Sequence, residues 1–204
     1  MNRKTIAALF LPLFVFVIIA IFTIADKAQN LNDMAAKIIQ SFESPLLTII
    51  MKFITNIGEW FVYLPIALLL LALPQARFSY GLPTSLTLAV SAVLNTALKL
   101  FFAIPRPDTH RLITETGYGF PSGHAMNGMA FVGICVCLFI HYSQNKPHKI
   151  AMLAAAVCFM LLMGFSRIYL GVHNLTDVLA GYAAGIFLFQ LVFSVVKILS
   201  KMES

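Results

Sequence analysis

Three short polar segments of this 204-residue chain carry residue types suited to work on an anion. The first runs Lys99-Leu100-Phe101-Phe102-Ala103-Ile104-Pro105-Arg106-Pro107. Taken alone, it reads most simply as a lysine snorkelling to an interface followed by a loop cation. For chemistry, Lys99 and Arg106 must reach one point in space, which a helix end and a turn allow. The second is Phe120-Pro121-Ser122-Gly123-His124, directly before an apolar run. Pro, Ser and Gly are ordinary helix-start residues. The same turn also offers free backbone N–H groups and a helix dipole to an anion, with His124 as a titrating group beside it. The third spans Ser166 to Asp177 and contains Arg167, His173 and Asp177. His173 and Asp177 are four residues apart, so on a helix they share a face. A carboxylate on one ring nitrogen fixes the tautomer and frees the other nitrogen to attack or accept a proton. The plainer reading is an interfacial His–Asp pair, with Asp177 favoured by a helix N-terminus.

Together the segments hold Lys99, Arg106 and Arg167, an anion-binding helix start, and two histidines, one with a carboxylate partner. That inventory suits phosphoryl transfer without a metal. A phosphate monoester carries about −1.5 to −2 charge at pH 7, and three cations with backbone N–H groups can neutralise it and its transition state.

The elements that must position these residues are set by composition. Hydrophobic residues make up 60% of the chain and charged ones 11%, against about 25% charged in an ordinary soluble domain. So few charges exclude an aqueous globule, a disordered chain and a nucleic-acid-binding domain, despite the formal net charge of +6. A membrane span needs about 20 apolar residues, so the length predicts six spans and no separate soluble domain. Cys135, Cys137 and Cys158 lie in apolar runs and read as small apolar residues, not a disulfide or zinc framework.

The first run, Thr5 to Ala25, is longer than a usual signal-peptide core and lacks a convincing small-x-small cleavage site, so a retained span is expected. Met34, Ile38, Ile39 and Phe42 predict one face of a short helix on the membrane surface. Leu46 to Ile57 is expected as a second interfacial or re-entrant helix, leading past Glu59 and Trp60 into a short second span, Phe61 to Leu73. The remaining spans are expected near 82–104, 125–140, 150–165 and 178–196. This predicts an all-α polytopic membrane protein, six transmembrane helices with short interfacial helices between the first two spans, as a single domain over 1–204 with its motif core at 99–185.

With a cytoplasmic N-terminus, all three segments fall at outer ends of spans. The inner segments then carry seven cations and Glu203, and the outer ones carry seven cations and seven acids, so the whole +6 lies inside. Both termini are expected in the cytoplasm and the site on the extracytoplasmic side. A transporter or channel would predict charges near the midplane and internal repeats, and neither is evident. A purely structural membrane protein gives no reason for two histidines at matched ends.

The three segments resemble the KxxxxxxRP, PSGH and SRxxxxxHxxxD signatures of the type 2 phosphatidic acid phosphatase (lipid phosphate phosphatase) family. Every defining position between Lys99 and Asp177 is matched. The stretches around Phe120–Asn127 and Ser166–Tyr182 are most like the compact bacterial phosphatidylglycerophosphate phosphatase B and undecaprenyl-diphosphate phosphatase members. Leu175 departs from the pattern, standing where many members have proline. The resemblance implies that His173 attacks phosphorus and Asp177 orients it. It implies that His124 protonates the leaving group and then activates water. Lys99, Arg106, Arg167, Ser122 and the Gly123 N–H would hold the phosphate. Glu115 and Tyr118 are candidate head-group contacts. No cluster of hard-metal ligands is apparent, so neither a metal nor another cofactor is expected. The implied partners are a membrane lipid phosphate (phosphatidylglycerophosphate, undecaprenyl diphosphate or both) and the bilayer, in a bacterial cytoplasmic membrane, with no nucleic acid and no obligate protein partner. A lipid A phosphatase or a lipid-to-lipid phosphotransferase would carry the same motifs.

Overall fold

The computed structural model describes residues 3–108 and 110–202. Glu203, counted above in the inner charge, lies outside them. Among the described residues all regular elements are helical: α1 (Arg3–Ile24), α2 (Gln29–Gln40), α3 (Pro45–Ile57), α4 (Trp60–Ala72), α5 (Leu82–Phe102), α6 (Gly123–Tyr142), α7 (Lys146–Tyr169) and α8 (Leu175–Met202). A π-helical turn, Arg77–Gly81, leads into α5. Six stretches are long and apolar enough to cross a membrane. Their outward faces expose large apolar side chains such as Phe14, Ile49, Phe53, Val93 and Leu161. That surface suits lipid and would be a liability in water.

Local chemistry sets the helix ends. Pro45 begins α3 behind Ser44, whose hydroxyl accepts from Leu47 N at 3.3 Å. Asn145 caps α7 by accepting from His148 N at 3.1 Å. α5 stops where Ala103 turns left-handed (φ 50°) ahead of Pro105.

Between the first two spans, the short helix expected over 46–57 is present as α3, whose Met51 packs on Tyr169, Leu170 and Val172 at the end of α7 and beyond it. α3 and α4 together make one 28-residue candidate span, Pro45–Ala72. The reason is length. The 13 residues of α4 rise only about 20 Å, short of a roughly 30 Å hydrocarbon core. α2 is the separate surface helix. Leu31, Met34 and Ile38 form its outward apolar face, with Phe42 exposed just past its end, while Ile39, expected on that face, packs inward beside Leu170 and Ile168. The later spans extend past the expected apolar runs at their polar ends, to Gly123, Tyr169 and Leu175. Those added turns contain the polar segments.

α6 sits at the centre and packs on α5, α7 and, most extensively, α8. Small residues bring α6 and α8 together: a Cβ on Gly181 would fall 2.7 Å from the Ser122 carbonyl oxygen. The C-terminal ends of α5 and α7 meet the N-terminal ends of α6 and α8 at one end of this bundle. The loop 103–122 folds over them. It is tied down by Gly119 N donating to Ile104 O at 2.8 Å and Leu112 N donating to Leu170 O at 3.0 Å.

Candidate active site

The cations of the first segment converge. Lys99, in the last turn of α5, donates to the Tyr118 carbonyl at 2.5 Å. Arg106 leaves the turn after Pro105 and donates to the carbonyls of Thr116, Gly117 and Val172 at 3.1–3.2 Å. These bonds aim its guanidinium inward, where Nη1 lies 3.1 Å from His173 Nε2. Tyr118 contributes its backbone here, and its side chain is exposed.

Arg167 comes from the last turns of α7 and is 1% exposed. Its Nη2 binds Glu115 Oε1 at 2.5 Å, and its Nη1 binds the Thr55 hydroxyl of α3. Glu115 Oε2 also lies 3.5 Å from Arg106 Nη2, so one carboxylate links two arginines. Burial works to raise the Glu115 pKa, but Arg167 and then Arg106 outweigh it and hold the carboxyl below its ordinary value.

His124 opens α6 behind Ser122 and Gly123, reached through a cis Phe120–Pro121 peptide. The expected helix start is therefore present. Ser122 Oγ and Arg167 Nε are buried without a hydrogen-bond partner among the described residues. His124 Nε2 lies 3.5 Å from Arg167 Nη1 and 3.1 Å from Glu59 Oε1.

His173 departs from the expected geometry. It does not share a helix face with Asp177, because α8 begins only at Leu175. It sits in the turn before the helix, and Asp177 reaches back from the first turn. Asp177 Oδ2 accepts from Asn174 N at 2.8 Å and lies 3.4 Å from His173 Nδ1. The turn depends on Gly171 at φ 70°, where a Cβ would fall 2.1 Å from the His110 carbonyl oxygen. Leu175 begins α8 without proline, so the departure from the motif leaves the helix start in place. A guanidinium can only donate, so the Arg106 contact requires a lone pair on His173 Nε2 and puts the ring proton on Nδ1, toward Asp177. Burial, then Arg167, Arg106 and Lys99, hold the His173 pKa well below the ordinary imidazole value. The ring is neutral at neutral pH, and its Nε2 lone pair accepts from Arg106.

The structure thus gathers Lys99, Arg106, Glu115, Ser122, Gly123, His124, Arg167, His173 and Asp177. It also adds residues the sequence reading missed. Glu59 appeared only as a boundary between apolar runs. Thr55 and Asn32 gave no signal of a role. Asn32 is 3% exposed and bridges α2 to the start of α8, accepting from Thr176 N at 3.1 Å and donating to Thr176 Oγ1 at 3.2 Å.

The expectation that no metal-ligand cluster forms needs correction. Ligand atoms of Glu59, Glu115 and His124 lie within 4.8 Å of one another. The charge pattern there does not suit a cation, because Arg167 already binds Glu115 and faces His124. Two cavities flank the site. One of about 530 Å³ runs from His124 and Glu59 down the apolar faces of α4 and α5, past Leu64, Leu68 and Leu88. The other, about 380 Å³ and more polar, touches Arg106 and His173 and reaches Asp26, Asn32 and Asp33.

Comparison with known proteins gives the family. Residues 80–201 match the PAP2 superfamily. Phosphatidylglycerophosphatase B of Bacillus subtilis is 33% identical over 183 residues, covering 87% of this chain and 89% of the relative. Undecaprenyl-diphosphatase of Sulfolobus acidocaldarius is 29% identical over 182 residues, covering 85% and 84%. The crystal structure of a transmembrane PAP2-type phosphatidylglycerolphosphate phosphatase from Bacillus subtilis superposes with a TM-score of 0.84 at 28% identity, over 97% of this chain and 98% of that one. Sequence match and shared helical architecture agree: this chain belongs to the PAP2 superfamily and is a multi-pass membrane lipid phosphatase.

Proposed function

We propose that this chain hydrolyses the terminal phosphate of phosphatidylglycerophosphate, undecaprenyl diphosphate or both, through a phosphohistidine on His173. The observation that carries the reading is the 3.1 Å contact between His173 Nε2 and Arg106 Nη1. The substrate class follows from relatives named for those two lipids.

In this reading Lys99, Arg106 and Arg167 take the phosphate oxygens, with the Ser122 hydroxyl and the Gly123 N–H. Arg gives paired oxygen contacts, while Lys acts as a point charge. Glu115 holds the two arginines together, and a bound phosphate competes with it for their N–H groups. His173 attacks phosphorus, Asp177 steadies its positive charge, and His124 protonates the leaving oxygen and later activates water. The cavity beside His124 suits the apolar part of the leaving group. Binding and transfer need no metal here, because three cations already stabilise the transferring charge.

The chain acts as one domain, with lipid substrate and bilayer as its partners. It lies in a bacterial cytoplasmic membrane with both termini inside. The site faces the extracytoplasmic interface, where a lipid keeps its tails in the bilayer and presents its head group sideways. A substrate panel on the purified protein tests the reading: phosphatidylglycerophosphate, phosphatidic acid, undecaprenyl diphosphate and a lipid A phosphate. Phosphate release is expected from the first, the third or both. Release only from the lipid A phosphate, or labelled phosphate passing to a second lipid, would replace this reading with a sister activity.

A further inference from the structure

Glu59 lies outside the three polar segments and outside the residues matched by the family, yet its carboxylate is 3.1 Å from His124 Nε2. The chain brings it there by breaking a helix. α3 ends at Ile57 and α4 begins at Trp60, leaving Gly58 and Glu59 as an irregular joint inside a 28-residue apolar stretch. That joint is pressed against the site. A Cβ on Gly58 would fall 2.4 Å from Met163 Cε and 3.2 Å from His124 Cδ2. Glu59 also stands at the N-cap of α4 but makes no side-chain capping bond. A capping carboxylate ordinarily stabilises its own helix. This one is turned to the histidine instead.

The contacts set the two histidines apart. His173 Nε2 meets Arg106 Nη1, which only donates, so that nitrogen keeps its lone pair. His124 Nε2 meets Arg167 Nη1 at 3.5 Å, but the acceptor Glu59 Oε1 is closer, at 3.1 Å. The nearer contact puts the proton on Nε2.

We propose that Glu59 is the positioning residue that makes His124 the acid of the pair. It acts through His124 by favouring the imidazolium, protonated on both ring nitrogens, and by holding Nε2–H until the leaving oxygen replaces the carboxylate as its acceptor. This rests on the reading above that His124 protonates the leaving group. In the first step, the His173 Nε2 lone pair forms the N–P bond as the P–O bond to the lipid breaks. That electron pair stays on the lipid oxygen, which takes the Nε2 proton of the His124 imidazolium and leaves a neutral ring that keeps its Nδ1–H. In the second step, a water oxygen bonds phosphorus and the N–P pair returns to His173. One water proton passes to His124 Nε2, so the acid is restored. Glu59 remains a carboxylate throughout and receives the Nε2–H between turnovers.

The test compares two phosphate esters with the same chain, dodecyl phosphate and 4-dodecyl-2-nitrophenyl phosphate. The alkanol needs a proton to leave, and the nitrophenol does not. The ratio of their kcat/KM values reports only steps up to the transfer onto His173. General acid catalysis contributes about 10²–10⁴-fold. Glu59→Gln is expected to lower kcat/KM for the alkyl ester by about tenfold or more, and for the aryl ester by less than about threefold, with KM little changed. Glu59→Asp, which keeps the charge on a shorter arm, shifts the ratio the same way by less. It also stands in if the Gln variant does not fold. An equal fall for both esters, a change in KM alone, or no change overturns the role of Glu59. His124→Ala, run beside them, separates the two readings. If it leaves the ratio unchanged, the assignment of His124 fails. If it moves the ratio and Glu59 variants do not, the Glu59 inference alone fails.

Discussion

Arg106 Nη1 lies 3.1 Å from His173 Nε2, and this contact decides which ring nitrogen is unprotonated. Arg106 is itself fixed by three backbone carbonyls, one of them Val172, the neighbour of His173. The cation and the candidate nucleophile are thus held by the same short piece of chain. A phosphate drawn to Arg106 arrives beside the lone pair.

If His173 carries the phosphoryl group, His173→Ala loses phosphate release by at least about 10³-fold. Acid-labile, base-stable label from a ³²P-labelled lipid substrate also disappears from the protein in that variant. Labelling that persists in His173→Ala would move the nucleophile elsewhere.

The depressed pKa of His173 gives a sign to the pH profile. The neutral ring is the reactive form, and its fraction rises with pH through the pKa. Burial and the neighbouring cations push that pKa down, so activity persists further into acid than an ordinary imidazole of about 6.5 would permit. The acid limb of kcat/KM, which reports the free enzyme, is expected below that value. A limb above it would contradict a neutral, cation-surrounded His173.

Asn32→Ala removes both hydrogen bonds that pin α2 to Thr176. Leaving the buried Thr176 N–H unpaired costs about 1–3 kcal/mol. The expected result is a lower midpoint of thermal unfolding in detergent and a fall in kcat, because Thr176 lies beside the turn that carries His173. A variant with unchanged midpoint would show that α2 is not part of the folded unit around the site.

EDTA is expected to leave phosphate release intact, since Arg167 already binds Glu115 and faces His124 in the cluster they form with Glu59. Activity that falls in EDTA and returns with magnesium would make that cluster a metal site.

The helical class, the membrane setting and the three site segments were legible in the chain itself. Apolar runs of span length leave little choice once water is the alternative solvent. The residues Lys99, Arg106, His124, Arg167, His173 and Asp177 stand at fixed spacings that the family signature captures. Span boundaries were less legible, because an apolar run ends where polarity begins, whereas the α7 and α8 helices continue through the polar site residues. His173 and Asp177 show the limit of spacing arguments. Four residues apart is compatible with a helix face, but the backbone turn at Gly171 and the capping bond to Asn174 put His173 outside the helix.

Only the tertiary structure decided the partners. Glu59 comes from the α3–α4 joint, Thr55 from α3, Glu115 from the long loop and Asn32 from the surface helix. From the sequence, Glu115 is expected as a head-group contact and not as the link between two arginines, and the other three have no local sequence pattern that marks them. Each gains its role from a contact with a residue far away in the chain, and such contacts are set by how the bundle packs. The amino-acid sequence by itself determined that three cations and two histidines stand in polar segments at the ends of membrane spans. Packing decided which carboxylate faces which histidine, and so which ring nitrogen keeps its proton.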